Sequence, residues 1–194
     1  MQDHSSINEF LRSRRSTFLA NYTGEKVSNT LIKDILENAS YAPTHKLTEP
    51  WRFKVFSGIG LEKLCNKMAE IYQQNTPKDL FSQEKYNKFG EMAKKVSHCI
   101  AICMHRDEAE RVPEIEEICA VACAVQNIYL SVNAYNLGGY WSTGNGTFSP
   151  EMHQFLELGN KDRCLGFFYI GISNKEKTLA KRSPIDTKIE WKME

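Results

Sequence analysis

Apolar residues recur at two spacings along this chain, and the switches between them mark out its elements. Ser6 followed three positions later by Glu9 has the form of a capping box. With the apolar stripe Ile7, Phe10 and Leu11, it predicts a helix from about Ser6 to Arg14. Ser28 opens a second helical pattern through Leu31, Ile32, Ile35, Leu36 and Ala39. That pattern stops near Tyr41-Ala42-Pro43, because the residue before a proline is pushed out of helical geometry. Trp51–Phe56 alternates and is rich in aromatic and β-branched residues, so it predicts a strand. Leu61, Leu64, Cys65, Met68 and Tyr72 mark another helix. Thr76 to about Ser97 is polar with scattered Phe81, Tyr86, Phe89 and Met92, and predicts a mobile helical excursion behind a loop.

His98–Met104 is a short, nearly continuous apolar run, as expected of a strand buried on both faces. Pro113 to Asn136 predicts a long helix, apolar on more than one side, with Leu137-Gly138-Gly139 as its stop. Tyr140–Gly144 predicts a strand leading into a loop. Ser149-Pro150 opens a short helix with serine as cap and proline at the first helical position. Cys164–Ile172 predicts the last core strand, and residues 173–194 a polar, extended tail whose Trp191 needs a surface to pack on. Helices and strands intermingle, so the expected class is α/β or α+β, with helices covering a small sheet.

Composition narrows the picture. At 194 residues the chain suits one domain with a real core. Its 25 basic and 24 acidic residues give a net charge of +1, which offers no case for nucleic acid or an anionic membrane as partner. No apolar run approaches the ~20 residues of a membrane span, and the N-terminus lacks the form of a secretion signal, so a cytoplasmic location is expected. The six cysteines form no C-x-x-C pair and read as small, buried, reduced residues.

Four segments carry candidate chemistry. Arg14-Arg15-Ser16 places two guanidiniums and a hydroxyl at a helix end, where they either fork onto a phosphate or complement the helix dipole in water. Ala42-Pro43-Thr44-His45-Lys46-Leu47-Thr48-Glu49-Pro50-Trp51 is an irregular path with polar side chains. Gly138–Gly146 is glycine-rich, but its glycines follow a helix and do not match the dinucleotide fingerprint. Lys181-Arg182-Ser183-Pro184 is a basic patch in the tail.

In order and flanks, these segments resemble the nitroreductase family, in its short single-domain branch that binds flavin mononucleotide (FMN). The resemblance covers nearly the whole chain. It rests on Arg14-Arg15-Ser16 after a short helix, the Ala-Pro-x-His loop running into Pro50-Trp51-Arg52-Phe53, and the long helix ending at Leu137-Gly138. It continues through Trp141-Ser142-Thr143-Gly144, Leu165-Gly166-Phe167 and the closing Lys-Arg-x-Pro.

The resemblance implies an α+β sandwich, helices around a small mixed sheet, that forms an intertwined homodimer with FMN between subunits. Arg14, Arg15 and Ser16 would meet the FMN of their own subunit, and His45 and Glu49 that of the other. Trp141, Ser142 and Thr143 would line the ring, Arg182 would meet the phosphate, and the tail would wrap the second copy. Implied too is ping-pong chemistry: NADH or NADPH passes hydride to the flavin, and a nitroaromatic, quinone or similar electron-poor acceptor is reduced in the same place. No side chain need act as acid or base. At position 49 relatives often carry glutamine. Glu49 accepts from the ring N3–H but cannot donate when ionised, and its charge opposes reduction. Rival readings keep FMN with another reaction, such as dehydrogenation or reductive dehalogenation, or with no turnover. A metal hydrolase on His45, His98, His105 and His153 lacks ligand spacing.

Overall fold

The strand His98–Met104 is buried at every position, and the molecule is organised around it. The computed structural model describes residues 4–144, 146–176, 178 and 180–193. Asn145 of the glycine-rich segment and Lys177, Leu179 and Glu194 of the tail lie outside the described residues, as do residues 1–3. In chain order the elements are α1 (His4–Ser13), α2 (Asn29–Ser40), β1 (Trp51–Phe56), α3 (Gly58–Asn75), α4 (Gln83–Lys95) and β2 (His98–Met104). They continue with α5 (Glu114–Ala134), β3 (Gly138–Ser142), α6 (Pro150–Phe155) and β4 (Arg163–Gly171).

Side chains alternate across a strand, so β2 feeds two cores. Ile100, Ile102 and Met104 join Ile32 and Ile35 of α2 and Val121, Val125 and Ile128 of α5. Cys99, Ala101 and Cys103 join Leu61, Leu64 and Met68 of α3, Met92 of α4 and Met152 of α6. Each large apolar side chain so buried contributes about 1.5–3 kcal/mol. This accounts for the unbroken apolar run: a strand covered on both faces has no solvent side to supply polar residues.

The fold is α+β as expected, but the sheet is antiparallel at every pairing, not mixed. Its order is β1-β2-β4-β3. β2 and β3 run in the same direction, joined by α5, and β4 inserts between them, so no two parallel strands are neighbours. β4 also carries a bulge: Ile102 pairs with Gly166 and Cys103 with Cys164, which leaves Leu165 unpaired.

Local signals explain most boundaries. Ser28 caps α2 by accepting from the Leu31 N–H at 3.3 Å, and Ser149 caps α6 by accepting from Met152 N–H at 3.2 Å, with Pro150 in the first turn. Two expectations are corrected. α1 begins at His4, so Ser6 lies inside the helix and does not cap it. α5 ends at Ala134, and Asn136, at φ 56°, takes the left-handed position assigned to glycine; Gly138 and Gly139 belong to β3.

α5 also departs from the sequence reading in two other ways. By length and composition it is apolar enough to cross a membrane, although no such run was expected. It packs on α2 and the sheet and supplies much of one core, the position of a domain's central helix. Its Cys119 and Cys123 are exposed on this chain, whereas Cys65, Cys99, Cys103 and Cys164 are buried as expected. A helical face turned away from its own core leaves such residues uncovered.

The first turn of α5 is held by charge. Glu117 is 1% exposed and pairs with Arg106, while its other oxygen accepts from the Asp107 N–H at 2.9 Å. Arg106 also donates to the Val112 carbonyl at 2.8 Å. Removing one partner of such a pair strands the other without compensation. We expect Glu117→Gln to lower the melting temperature by roughly 10 °C, and Glu91→Gln, in the exposed pair with Lys94, to shift it by only about 1–2 °C. Thermal melts of both variants check this.

Asp107 accepts from the Arg111 side chain at 2.8 and 3.0 Å and from its N–H at 3.0 Å, and these bonds hold its carboxyl down to about 2. The unfolded chain has the ordinary value near 3.9. A depressed folded pKa contributes stability above about pH 4 that is lost as pH falls toward 2. Acid unfolding of Asp107→Asn is therefore expected to be less steep over that window.

Candidate functional site

The early segment 14–23 is stitched onto the sheet where β3 meets β4. The Thr17 N–H donates to the Gly139 carbonyl at 3.0 Å, Tyr22 bridges Ser173, and the Thr23 N–H donates to the Ile172 carbonyl at 2.9 Å. The Tyr22 ring lies on a pair of glycines, Gly138 and Gly171, that face each other across the two strands. A Cβ on either would sit 2.8 Å from that ring, and one on Gly138 would also meet Thr17 at 2.9 Å. Gly138 therefore permits a close approach. The Tyr22 hydroxyl donates to the Tyr169 carbonyl at 3.1 Å.

This stitching sets Arg14 and Arg15 beside the tail. Arg12, Arg14, Arg15 and Arg182 line one cavity of about 560 Å³ with Leu11 and Ala180. Three of these arginines were expected site residues; Arg12 was missed, and its position two residues before Arg14 was the available signal. None of the four has a carboxylate partner among the described residues. Arg15 spends Nε on the Thr178 carbonyl at 2.6 Å and Nη1 on the Arg12 and Arg14 carbonyls. Arg14 instead lies over the Tyr129 ring, 4.8 Å from its centre, and makes no hydrogen bond through its guanidinium among the described residues. The Tyr129 hydroxyl in turn accepts from the Trp141 N–H at 2.7 Å, so Arg14 is tied through one phenol to β3.

At that end of β3 the bulge on β4 matters. Gly166, at φ 127°, lies where a Cβ would fall 2.5 Å from Trp141 Nε1 and 2.7 Å from the Ser142 carbonyl. Trp141 is half-buried, and its Nε1–H is buried with no acceptor among the described residues, a cost unless something else supplies one. Ser142 lines a second cavity of about 280 Å³ under α4, while Thr143 and Ser16 are exposed.

His45 and Glu49 stand apart from the arginines. They lie in a loop with three left-handed non-glycine residues, Lys46, Leu47 and Glu49, a strained path that surrounding bonds must hold. Thr44 Oγ1 accepts from the Glu49 N–H at 3.2 Å, and Lys46 donates to the Arg111 carbonyl at 2.9 Å. His45 Nδ1 donates to the Glu116 carboxylate at 2.5 Å, beside a third cavity lined by Pro43, Cys119 and Cys123. Nothing in the sequence spacing announced that pairing. Three further histidines have separate partners: His98 has Ser97 and Asn29, His105 has Asp162, and His153 has the Gly159 carbonyl.

Fold and site together define a class: an antiparallel sheet clad by helices on both faces, with a cationic cavity where the two chain ends meet its edge strand. The Nitroreductase family model matches residues 11–172, and the chain belongs to that family. It is 30% identical over 186 residues to the protein named "Putative NAD(P)H nitroreductase YfhC" of Bacillus subtilis (strain 168), covering 95% of this chain and 93% of that one. Its fold matches the crystal structure of a nitroreductase-like family protein from Bacillus cereus with a TM-score of 0.81 at 26% identity over the whole of both chains. It also matches the FMN-dependent nitroreductase NfnB from Mycobacterium smegmatis, solved in complex with NADPH, with a TM-score of 0.76 at 13% identity over 97% of this chain and 99% of that one.

The glycine floor under Tyr22 can be tested directly. Gly138→Ala is expected to cost about 1–3 kcal/mol by overpacking. Gly90→Ala, in α4 with nothing within 4 Å of the added carbon, should stabilise by about 0.5–1 kcal/mol. Urea unfolding of the two variants should move in opposite directions.

Proposed function

We propose that this chain is an FMN-dependent oxidoreductase that takes electrons from NADH or NADPH and reduces electron-poor acceptors such as nitroaromatics or quinones. We propose further that it works as a homodimer in the cytoplasm. One observation carries the reading: four guanidiniums from opposite ends of the chain surround one cavity with no described carboxylate to neutralise them. A doubly charged phosphate fits that donor set, because charge-assisted forks are the strong way to hold it. The unpartnered Trp141 Nε1–H fits a wall that a bound ring or a second copy completes.

FMN, when bound, supplies the hydride chemistry. The chain's residues divide the holding of it. Arg15 and Arg182 serve the phosphate, with Arg12 beside them. Arg14, with its donors unspent and its plane fixed on Tyr129, stabilises negative charge on the ring. Ser16, Trp141, Ser142 and Thr143 form the wall of the same subunit. His45 and Glu49 lie outside this cavity on one chain, so they serve the site contributed by a second copy.

Dimerisation is supported by apolar groups that one chain leaves exposed: Ile7 and Leu11 of α1, Ile115 of α5, and Ile185 and Trp191 of the tail. The domain and its tail form one unit in this reading, with the tail seated on the second copy. The purified protein is expected to be a yellow dimer whose flavin bleaches anaerobically with NADH or NADPH. Arg182→Ala should weaken FMN binding roughly 10–100-fold by flavin fluorescence titration. A colourless monomer that ignores added FMN would overturn the proposal.

A further inference from the structure

The cavity under α4 lies on the sheet face opposite α5. Met68 and Tyr72 of α3, Phe89 and Met92 of α4, and Tyr140 and Tyr169 of the sheet line it with aromatic rings and thioethers. Tyr140 and Tyr169 stack with ring centres 5.0 Å apart at 29°. At about 280 Å³ the space suits one substituted ring and is too small for a dinucleotide. Its charged lining is of one sign: Lys85 and Lys88 with no aspartate or glutamate. Lys85 has no ion-pair partner among the described residues. Lys88 has only Glu84, one helical turn away and itself exposed, a pair of little energetic weight. The Tyr140 hydroxyl makes no hydrogen bond among the described residues. Burial pushes its pKa upward, so it stays a donor throughout the neutral range. Ser142 lines this cavity too, and is the residue it shares with the flavin wall proposed above.

We infer that this cavity seats the electron acceptor, and that the acceptor it selects is a flat aromatic ring bearing an anionic group such as a carboxylate. The aromatic and thioether walls take the ring, the lysine ammoniums take the anion, and the Tyr140 hydroxyl donates to an oxygen of the ligand. Cationic rings are disfavoured, since nothing acidic lines the space. This inference rests on the flavoenzyme reading only in naming the occupant an acceptor; the cavity's preference for an anion is independent of it.

Benzoate, which cannot be reduced, separates the two. Calorimetric titration of the purified protein should show saturable benzoate binding at least tenfold tighter than benzamide or benzylamine. K85Q/K88Q, on an exposed helical face, should weaken benzoate roughly tenfold and leave benzamide unchanged, with circular dichroism confirming the fold. In turnover the same variant should raise KM for 4-nitrobenzoate roughly tenfold more than it raises KM for nitrobenzene. Equal binding of benzoate and benzamide, indifference to K85Q/K88Q, or loss of benzoate binding in Arg182→Ala alone would overturn the inference; the last would place the anion in the arginine cavity. A colourless protein that binds benzoate through these lysines keeps the cavity and loses the flavoenzyme. A yellow protein that reduces nitrobenzene and ignores the carboxylate does the reverse.

Discussion

The contact of Tyr22 with the glycine pair Gly138 and Gly171 is the constraint on which the arginine cavity depends. An edge strand has one row of backbone groups free for a further segment. Here the segment after α1 takes part of that row, through Thr17 and Gly139, and then crosses to Ile172 and Ser173, just past the end of β4. Only bare backbone at positions 138 and 171 lets an aromatic ring lie that close. The consequence is topological. β4 emerges beside the segment that follows α1, so the tail leaves the sheet next to Arg14 and Arg15, and Arg182 reaches their cavity. Charges more than 160 residues apart in sequence become neighbours because two glycines have no side chains.

The second determinant is the burial of β2 on both faces. A sheet covered on one side needs one core; this one has two, and the helices divide between them. β3 lines the small aromatic cavity through Tyr140 and Ser142, and the arginine cavity is tied to the same strand through Thr17 on Gly139 and through Arg14, Tyr129 and Trp141. Trp141 and Tyr140 are adjacent in sequence and point to opposite faces, so a single strand presents an indole to one core and a phenol to the other. Like Gly138, the glycine at the β4 bulge serves close approach, here of the indole.

Most elements were legible because their periodicity and caps act locally. Ser28 and Ser149 cap the helices they were assigned, and Trp51–Phe56 and His98–Met104 are strands with the boundaries expected. What failed was tertiary. Ser6 has a capping-box partner, yet α1 starts before it. Gly138 looked like a helix stop, but Asn136 tolerates the left-handed turn and frees the glycine for packing. Cys119 and Cys123 follow the helical pattern of a core, yet face away from the chain's own core. The insertion of β4 between β2 and β3 is a long-range choice with no local signature. At the site, Arg14, Arg15 and Arg182 were legible as charges at recognisable positions. Tyr129 and Glu116 were not, because each acts through a neighbour, Arg14 or His45, that only folding supplies.

Charge is paired around the start of α5 and left mostly unpaired at the two cavities. Several acidic groups are spent on structure: Glu117 on Arg106, Asp107 on Arg111, and Asp162 on His105 and the Arg106 N–H. Four arginines gather at one cavity, and two lysines stand over another. Like charges brought together repel, and in a folded chain that cost is unrecovered until an anion enters. Even side-chain choice follows this logic. Arginine, with its planar fork, gathers where a phosphate would need several directed bonds. Lysine, a mobile point charge, stands over a cavity whose occupant is fixed mainly by the shape and apolarity of its walls.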